Sequence, residues 1–402
     1  MSRRILYVSQ QLPWPKHSGG NIRAFHMLQA LAKRHEVVLC SSSDGSALAR
    51  EGEKIFGEMC TETRIVADPK QVSAFGQAKG VIKSLLSGES AVLEHNRSAA
   101  LSAAVQGVLA EGGIDSMFLS QLDATMSVDF ATSPPVVIDT QNLLYEYYAR
   151  RAEIESGVLR RWVCRREARM LRAFELEVFG RAARTVVCSE TEREQLHQLD
   201  SKLQVEVVPN GVDLDSMPAP DFERDVDSRE LVFVGDLAYG PNQDAALHFI
   251  RDVLPLVQAR EPRAKFLAVG RNPSEELVAI GKEREDVIVT GFVDDVAEWI
   301  DRAELYVVPI RYGGGTRLKV LEAFAFGKPT ISTSVGAEGI DYNEGQDILI
   351  RDEPRAMADA ILQLFEDREL AKRLAIAARR TAEERYGWDQ LGERMADIHE
   401  QL

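Results

Sequence analysis

The sequence predicts an α/β protein made of two domains, each with a parallel sheet. Three observations predict it. The chain has 402 residues, too many for one comfortable core, so two domains are expected. Short apolar, β-branched runs alternate with stretches of helical period along nearly the whole length. Glycines fall just after those runs, at 19–20, 235, 270, 291, 313–315 and 336, and the carboxyl edge of an open parallel sheet is where a ligand approaches the backbone.

In the first half, residues 5–8 form an apolar strand. Pro13 to Gly20 reads as a loop, a helix is expected from about 21 to 34, and 37–40 is the next strand. This opening βαβ unit places Gly19 and Gly20 at a strand's carboxyl end; a plain turn needing positive φ is the other reading of that pair. Strands are expected at 64–66, 116–119 and 136–139, with an amphipathic helix at 71–87. The last of these strands ends in Asp139-Thr140-Gln141-Asn142.

One long helix is expected over about 143–182. Between 150 and 184 it has ten arginines against five glutamates, a local excess of five positive charges in a chain of net charge −15. Arg161, Arg165, Arg169 and Arg172 share one stripe, and Leu159, Val163, Met170 and Phe174 another. Two readings stand: a basic amphipathic helix lying on an anionic membrane, or a solvated helix whose arginines pair with its own glutamates. A strand at 185–188 follows, then a helix opened by Ser189 with Glu192 at capping-box spacing. After a strand at 205–208, the aperiodic, Pro- and Asp-rich residues 215–229 read as the interdomain linker.

The second half repeats the pattern. Strands are expected at 231–234, 265–269, 287–289, 305–308, 330–332 and 347–350, with helices between them and at the end. Its most informative stretch is LYVVPIRYGGGTRLKVLEAFAFGKP at 305–329: strand, triple glycine, then a helix expected over 316–326. A helix N-terminus after a glycine loop offers free N–H groups and the positive end of a dipole to an anion. Arg317 and Lys319 add two cations suited to a diphosphate. Glu322, an acceptor-only carboxylate, suits a ribose diol, or else pairs with its cationic neighbours on the helix.

These motifs, with Ser189 after VVC, VVPNGVD at 207–213, FVGDL at 233–237 and GFVDD at 291–295, resemble those of the retaining glycosyltransferases of family four. The resemblance covers nearly the full length. It implies the GT-B fold: an acceptor-binding domain at 1–214, a donor domain at 215–375, and a helix at 376–402 crossing back, with a cleft between the domains. The implied activity is transfer of a sugar, with retained configuration and without a metal, from a nucleotide-diphosphate sugar to a glycan, lipid or small-molecule acceptor. The UDP- or GDP-linked donor is a co-substrate, and no separate cofactor is implied. Gly291, Phe292 and Val293 would meet the base and Glu322 the ribose. Arg317 and Lys319 would stabilise the leaving diphosphate, with Gly235, Gly313, Gly314, Gly315 and Thr316 around it. Gly19 and Gly20 would reach the phosphates, and Asp139, Gln141 and Asn142 would face the sugar or acceptor.

Three departures from the family pattern stand out. Gly314 occupies the place of a frequent first glutamate. Residues 235–242 lack the cations that many members have there. Gln141-Asn142 replaces a frequent histidine. A nucleotide-sugar epimerase of the same fold and a non-catalytic nucleotide-sugar-binding scaffold in a polysaccharide-assembly complex are the alternatives. The acidic balance argues against nucleic acid as partner, and no GxGxxG follows the first strand, which disfavours a dinucleotide dehydrogenase. The four cysteines are far apart and the seven histidines scattered, so reduced thiols in a cytoplasmic protein are expected and no metal site. The first residues read as a strand, too short for a signal peptide, and no apolar run reaches bilayer-spanning length.

Overall fold

In the computed structural model the described residues are 2–16, 18–67, 90–155, 157–217, 220–224, 226–313 and 317–402. They form two units, Met1–Pro209 with Asp389–Leu402, and Asn210–Trp388. The expected helix at 71–87 lies outside the described residues, as do Gly314, Gly315 and Thr316. The division falls at Pro209, ahead of the expected linker, because Val212 already pairs with Gly387 and donates its N–H to the Tyr386 carbonyl (2.8 Å). The returning segment starts at Asp389 and not at 376, since the helix Arg368–Arg385 packs its Leu374, Ala378 and Ala382 into the second unit's core.

The first unit has a seven-stranded, wholly parallel sheet: β1 (Arg4–Ser9), β2 (Glu36–Ser43), β3 (Glu62–Ala67), β4 (Ser116–Ser120), β5 (Val136–Asp139), β6 (Arg184–Val187) and β7 (Val205–Val207). Their order is β3-β2-β1-β4-β5-β6-β7. The inner strands are almost fully buried, as a parallel sheet covered on both faces requires, while the edge strands β3 and β7 are mostly half-buried. The order reverses between β1 and β4, and that reversal opens a crevice at their carboxyl ends.

The second unit has six parallel strands: β8 (Glu230–Val234), β9 (Lys265–Val269), β10 (Val287–Val289), β11 (Leu305–Val308), β12 (Thr330–Ser332) and β13 (Leu349–Ile350). Their order is β10-β9-β8-β11-β12-β13, so its switch point lies between β8 and β11. Phe233, Phe249, Phe266, Tyr306 and Phe324 fill its core. No helix among the described residues is long and apolar enough to cross a membrane.

Three local expectations change. The first helix spans Gly19–Arg34, with Ser18 Oγ accepting from the Asn21 N–H (3.2 Å), so the glycines form its first turn instead of a loop. Neither has positive φ. The long helix at 143–182 is two, Leu144–Ile154 and Val158–Arg181, parted where Gly157, a poor helix former, becomes the N-cap of the second. The helix after the triple glycine starts at Leu318, because Arg317 has a non-helical backbone (φ −85°, ψ 79°).

Candidate functional site

In the second unit the site residues gather at the β8/β11 switch point. Arg317 is 5 % exposed. Its Nε donates to the Val335 carbonyl after β12 (3.0 Å), and its Nη2 lies 3.6 Å from Glu338 Oε2. A Cβ on Gly313 would stand 3.3 Å from Arg317 Nη1, and φ at Gly313 is +124°, so glycine lets the chain fold over the guanidinium. Two helix turns are tied across the switch point: Lys319 Nζ donates to Asn242 Oδ1 (2.9 Å), and Asn242 Nδ2 donates to the Asp236 carbonyl (2.9 Å). Lys319 also stands 5.4 Å over the Phe233 ring. Burial, followed by the neighbouring Arg317 charge, pulls the Lys319 ammonium down to about 8.

Glu322 lies one turn further along this helix, partly buried. Its Oε2 accepts from the hydroxyl of Tyr306 on β11 (3.1 Å). Burial raises the Glu322 carboxyl, while the Tyr306 hydrogen bond and the Lys319 charge oppose that rise. The other expectation for Glu322, pairing with its cationic neighbours, is not what the side chains do: Lys319 turns to Asn242 and Arg317 to Val335.

Gly235 and Gly270 on this edge are there for space, and Gly291 for its positive φ. A Cβ on Gly235 would sit 2.6 Å from Asn242 Nδ2, and one on Gly270 (φ +151°) 1.8 Å from the Gly235 carbonyl oxygen. Gly270 and Gly291 form a bridge, and Gly291 has φ +69°. Beside it Phe292 is 73 % exposed, whereas Val293 packs on the core. Two cations that the sequence reading missed also reach this region. Arg271, straight after Gly270, donates from Nε to Asp236 Oδ2 (2.8 Å), and Arg311, after β11, pairs with Asp244 (2.6 Å). Their position right after a strand end was the available signal.

In the first unit the β1/β4 switch point brings Gly20, Gln121 and Gln141 together. Gln121 Nε2 donates to Gln141 Oε1 (3.1 Å), and Gln141 Nε2 to the Gly20 carbonyl (3.4 Å). A Cβ on Gly20 would stand 2.8 Å from Gln141 Oε1. Both glutamines have positive φ, +73° and +56°, a conformation that costs on the order of 1 kcal/mol or more for a non-glycine residue. Gln121 was not singled out from sequence; it is simply the first residue past β4. Asn142 is exposed.

Asp139 does not fit a sugar-facing role. It is fully buried, and Arg23, equally buried, donates from Nε and Nη2 to its carboxylate, with Nη2 2.6 Å from Oδ1. Arg23 Nη1 also holds the Pro209 carbonyl (2.9 Å). Nearby, Ser189 Oγ accepts from the Glu192 N–H (3.2 Å), as a capping box requires, and Glu192 Oε2 reaches back to the N–H of Cys188, one residue before the cap (2.8 Å).

Comparison with known proteins agrees with this architecture. A family model described as "Glycosyl transferases group 1" matches residues 228–367, and one described as "Glycosyltransferase Family 4" matches 142–216. Together they cover just over half of the chain. The D-inositol 3-phosphate glycosyltransferase of Xylanimonas cellulosilytica is 30 % identical over 221 residues, 49 % of this chain and 51 % of that protein. The chain thus spans about half the length of that curated relative. Among solved structures, sucrose-phosphate synthase from Thermosynechococcus elongatus has a TM-score of 0.71 at 16 % identity, covering 99 % of this chain and 98 % of that one. Anabaena Alr3699/HepE in complex with UDP and glucose has a TM-score of 0.66 at 14 % identity, with both chains covered in full. With family models matched on segments of both sheets and the fold shared over the full length, the chain is similar to the group 1, family 4 glycosyltransferases and has the GT-B fold of two Rossmann-like domains.

Proposed function

We propose that the protein is a retaining, metal-independent glycosyltransferase that moves a sugar from a UDP- or GDP-linked donor to a glycan, lipid or small-molecule acceptor. The single observation that supports this most is the group Arg317, Lys319 and Glu322 at the switch point of the second sheet, where a buried and a half-buried cation and a carboxylate held by Tyr306 match a diphosphate and a ribose diol. The solved relative Alr3699/HepE, with UDP and glucose bound, supports the donor class.

In this reading the acceptor oxygen attacks the anomeric carbon on the face from which the diphosphate leaves. The carbon–oxygen bond to the diphosphate breaks with its electron pair, and the acceptor's proton passes to the departing phosphate oxygen. Arg317 and Lys319 neutralise the charge that develops on that oxygen, in a setting that is already desolvated. Lys319 does this in its protonated form. Glu322 accepts from the ribose hydroxyls, and exposed Phe292 offers a ring face to the base. In the first unit, the Gln141 amide and Asn142 are the proposed polar groups for the sugar or acceptor, in place of Asp139.

The test is turnover. Purified protein offered a panel of UDP- and GDP-sugars should transfer or slowly hydrolyse at least one, with the product's anomeric configuration, read by NMR, matching the donor's. An inverted product would refute retention. Binding of nucleotide sugars without turnover, across acceptors from glycans to lipids, would favour a binding scaffold.

A further inference from the structure

The helix Val158–Arg181 has a buried face and an exposed stripe that oppose each other. The buried face consists of Cys164, Glu167, Leu171, Glu175 and Val178, with Phe179. Its two glutamates cap other helices: Glu167 Oε2 accepts from the Ser90 hydroxyl (2.6 Å) and the Ala91 N–H (3.1 Å), and Glu175 accepts from the N–H groups of Leu144 (2.8 Å) and Tyr145 (3.1 Å). These glutamates therefore do not neutralise the arginine stripe, and Arg166 is the arginine that meets Glu167.

On the opposite side, at spacings of three and four residues, stand Val158, Trp162, Arg165, Arg169 and Arg172, all exposed. The three arginines make no hydrogen bond or ion pair among the described residues. At the N-terminal end of this stripe Val158, Leu159 and Trp162 are 83 %, 74 % and 51 % exposed. Among the described residues the other large exposed apolar side chains, at 48, 239, 256, 292 and 376, are scattered along the chain. An apolar tip with a tryptophan, followed by a row of uncompensated arginines, has the chemistry of a bilayer interface. Tryptophan and aliphatic groups enter the acyl boundary, and guanidinium groups meet phosphate. In a chain of net charge −15, the surface that complements this row must be anionic.

We propose that this face is a membrane-docking surface for an anionic bilayer, with Val158, Leu159 and Trp162 inserted at the interface and Arg165, Arg169 and Arg172 on the lipid phosphates. The inference is independent of the catalytic reading, since none of these residues belongs to the proposed site.

The experiment uses the full chain with vesicles of pure phosphatidylcholine, or of phosphatidylcholine with about one third phosphatidylglycerol. Co-sedimentation is expected with the anionic vesicles, weakened by salt, and not with the neutral ones. R165Q/R169Q/R172Q should lower partitioning on the order of a hundredfold. V158S/L159S/W162S should also release the protein, and the blue shift of tryptophan emission on adding anionic vesicles should vanish in W162F. Melting temperatures of the variants, which alter only exposed side chains, check that each is folded. Absence of anionic-vesicle binding, or binding unchanged in both triple variants, overturns the proposal. So does a wild-type chain that self-associates without lipid through this face and becomes monomeric in V158S/L159S/W162S.

Discussion

Asp139 and Gln141 stand two positions apart at the end of one strand and both are buried, but only Asp139 carries a charge that the interior must neutralise. Asp139 lies in the wall of the sheet, where an uncompensated carboxylate would be very costly, so the chain supplies Arg23 to neutralise it. Gln141 is turned over Gly20 by its left-handed backbone. Long sequence separation hid these contacts: Arg23 to Asp139 spans 116 residues and Lys319 to Asn242 spans 77. Tyr306 and Glu322 are 16 residues apart, and Tyr306 read from sequence only as a core strand residue. Its hydroxyl fixes one Glu322 oxygen, and under the proposed function that makes it a positioning residue, with the other oxygen left for ribose. In Tyr306→Phe, the preference for UDP over its 2′-deoxy analogue should shrink by about five- to tenfold, one neutral hydrogen bond to a charged acceptor. Binding of inorganic pyrophosphate should stay the same. Equal preference in variant and wild type would leave Tyr306 a packing residue.

At the scale of elements, strands and their terminal glycines were legible because β-branched apolar runs and positive-φ turns are local properties. Gly270 and Gly291 do stand where strands end and another backbone or a ligand approaches. Helix limits were less legible where side chains reach outward. Arg317 leaves helical geometry to meet Val335, and Gly157 breaks what periodicity alone presents as one helix. The charge excess at 150–184 was plain in the sequence. So was the stripe that Arg165, Arg169 and Arg172 share; what the sequence did not show is that Glu167 and Glu175 turn inward to cap distant segments and leave that stripe to itself. Gly270→Ala tests the account of the glycine edge. A Cβ there meets the Gly235 carbonyl at 1.8 Å in a backbone region that disfavours side chains, so a loss of roughly 3 kcal/mol or more is expected in the melting of the second unit. Gly45→Ala, whose Cβ meets nothing within 4 Å, is the control for positive φ without a clash. Equal losses in the two variants would remove the close-approach argument.

Across the whole molecule, two parallel sheets each reverse their strand order once, and each reversal collects the polar groups that no core requires. In the first unit these are amides and in the second cations and a carboxylate. The central claim is that the second unit's switch point holds a nucleoside diphosphate. Calorimetric titration of UDP and GDP into the wild-type chain, Arg317→Ala and Lys319→Ala tests it most directly. The account predicts saturable binding of at least one of the two nucleotides, weakened about tenfold or more in each variant. Wild-type binding that both substitutions leave unchanged, or no binding of either nucleotide, would contradict it.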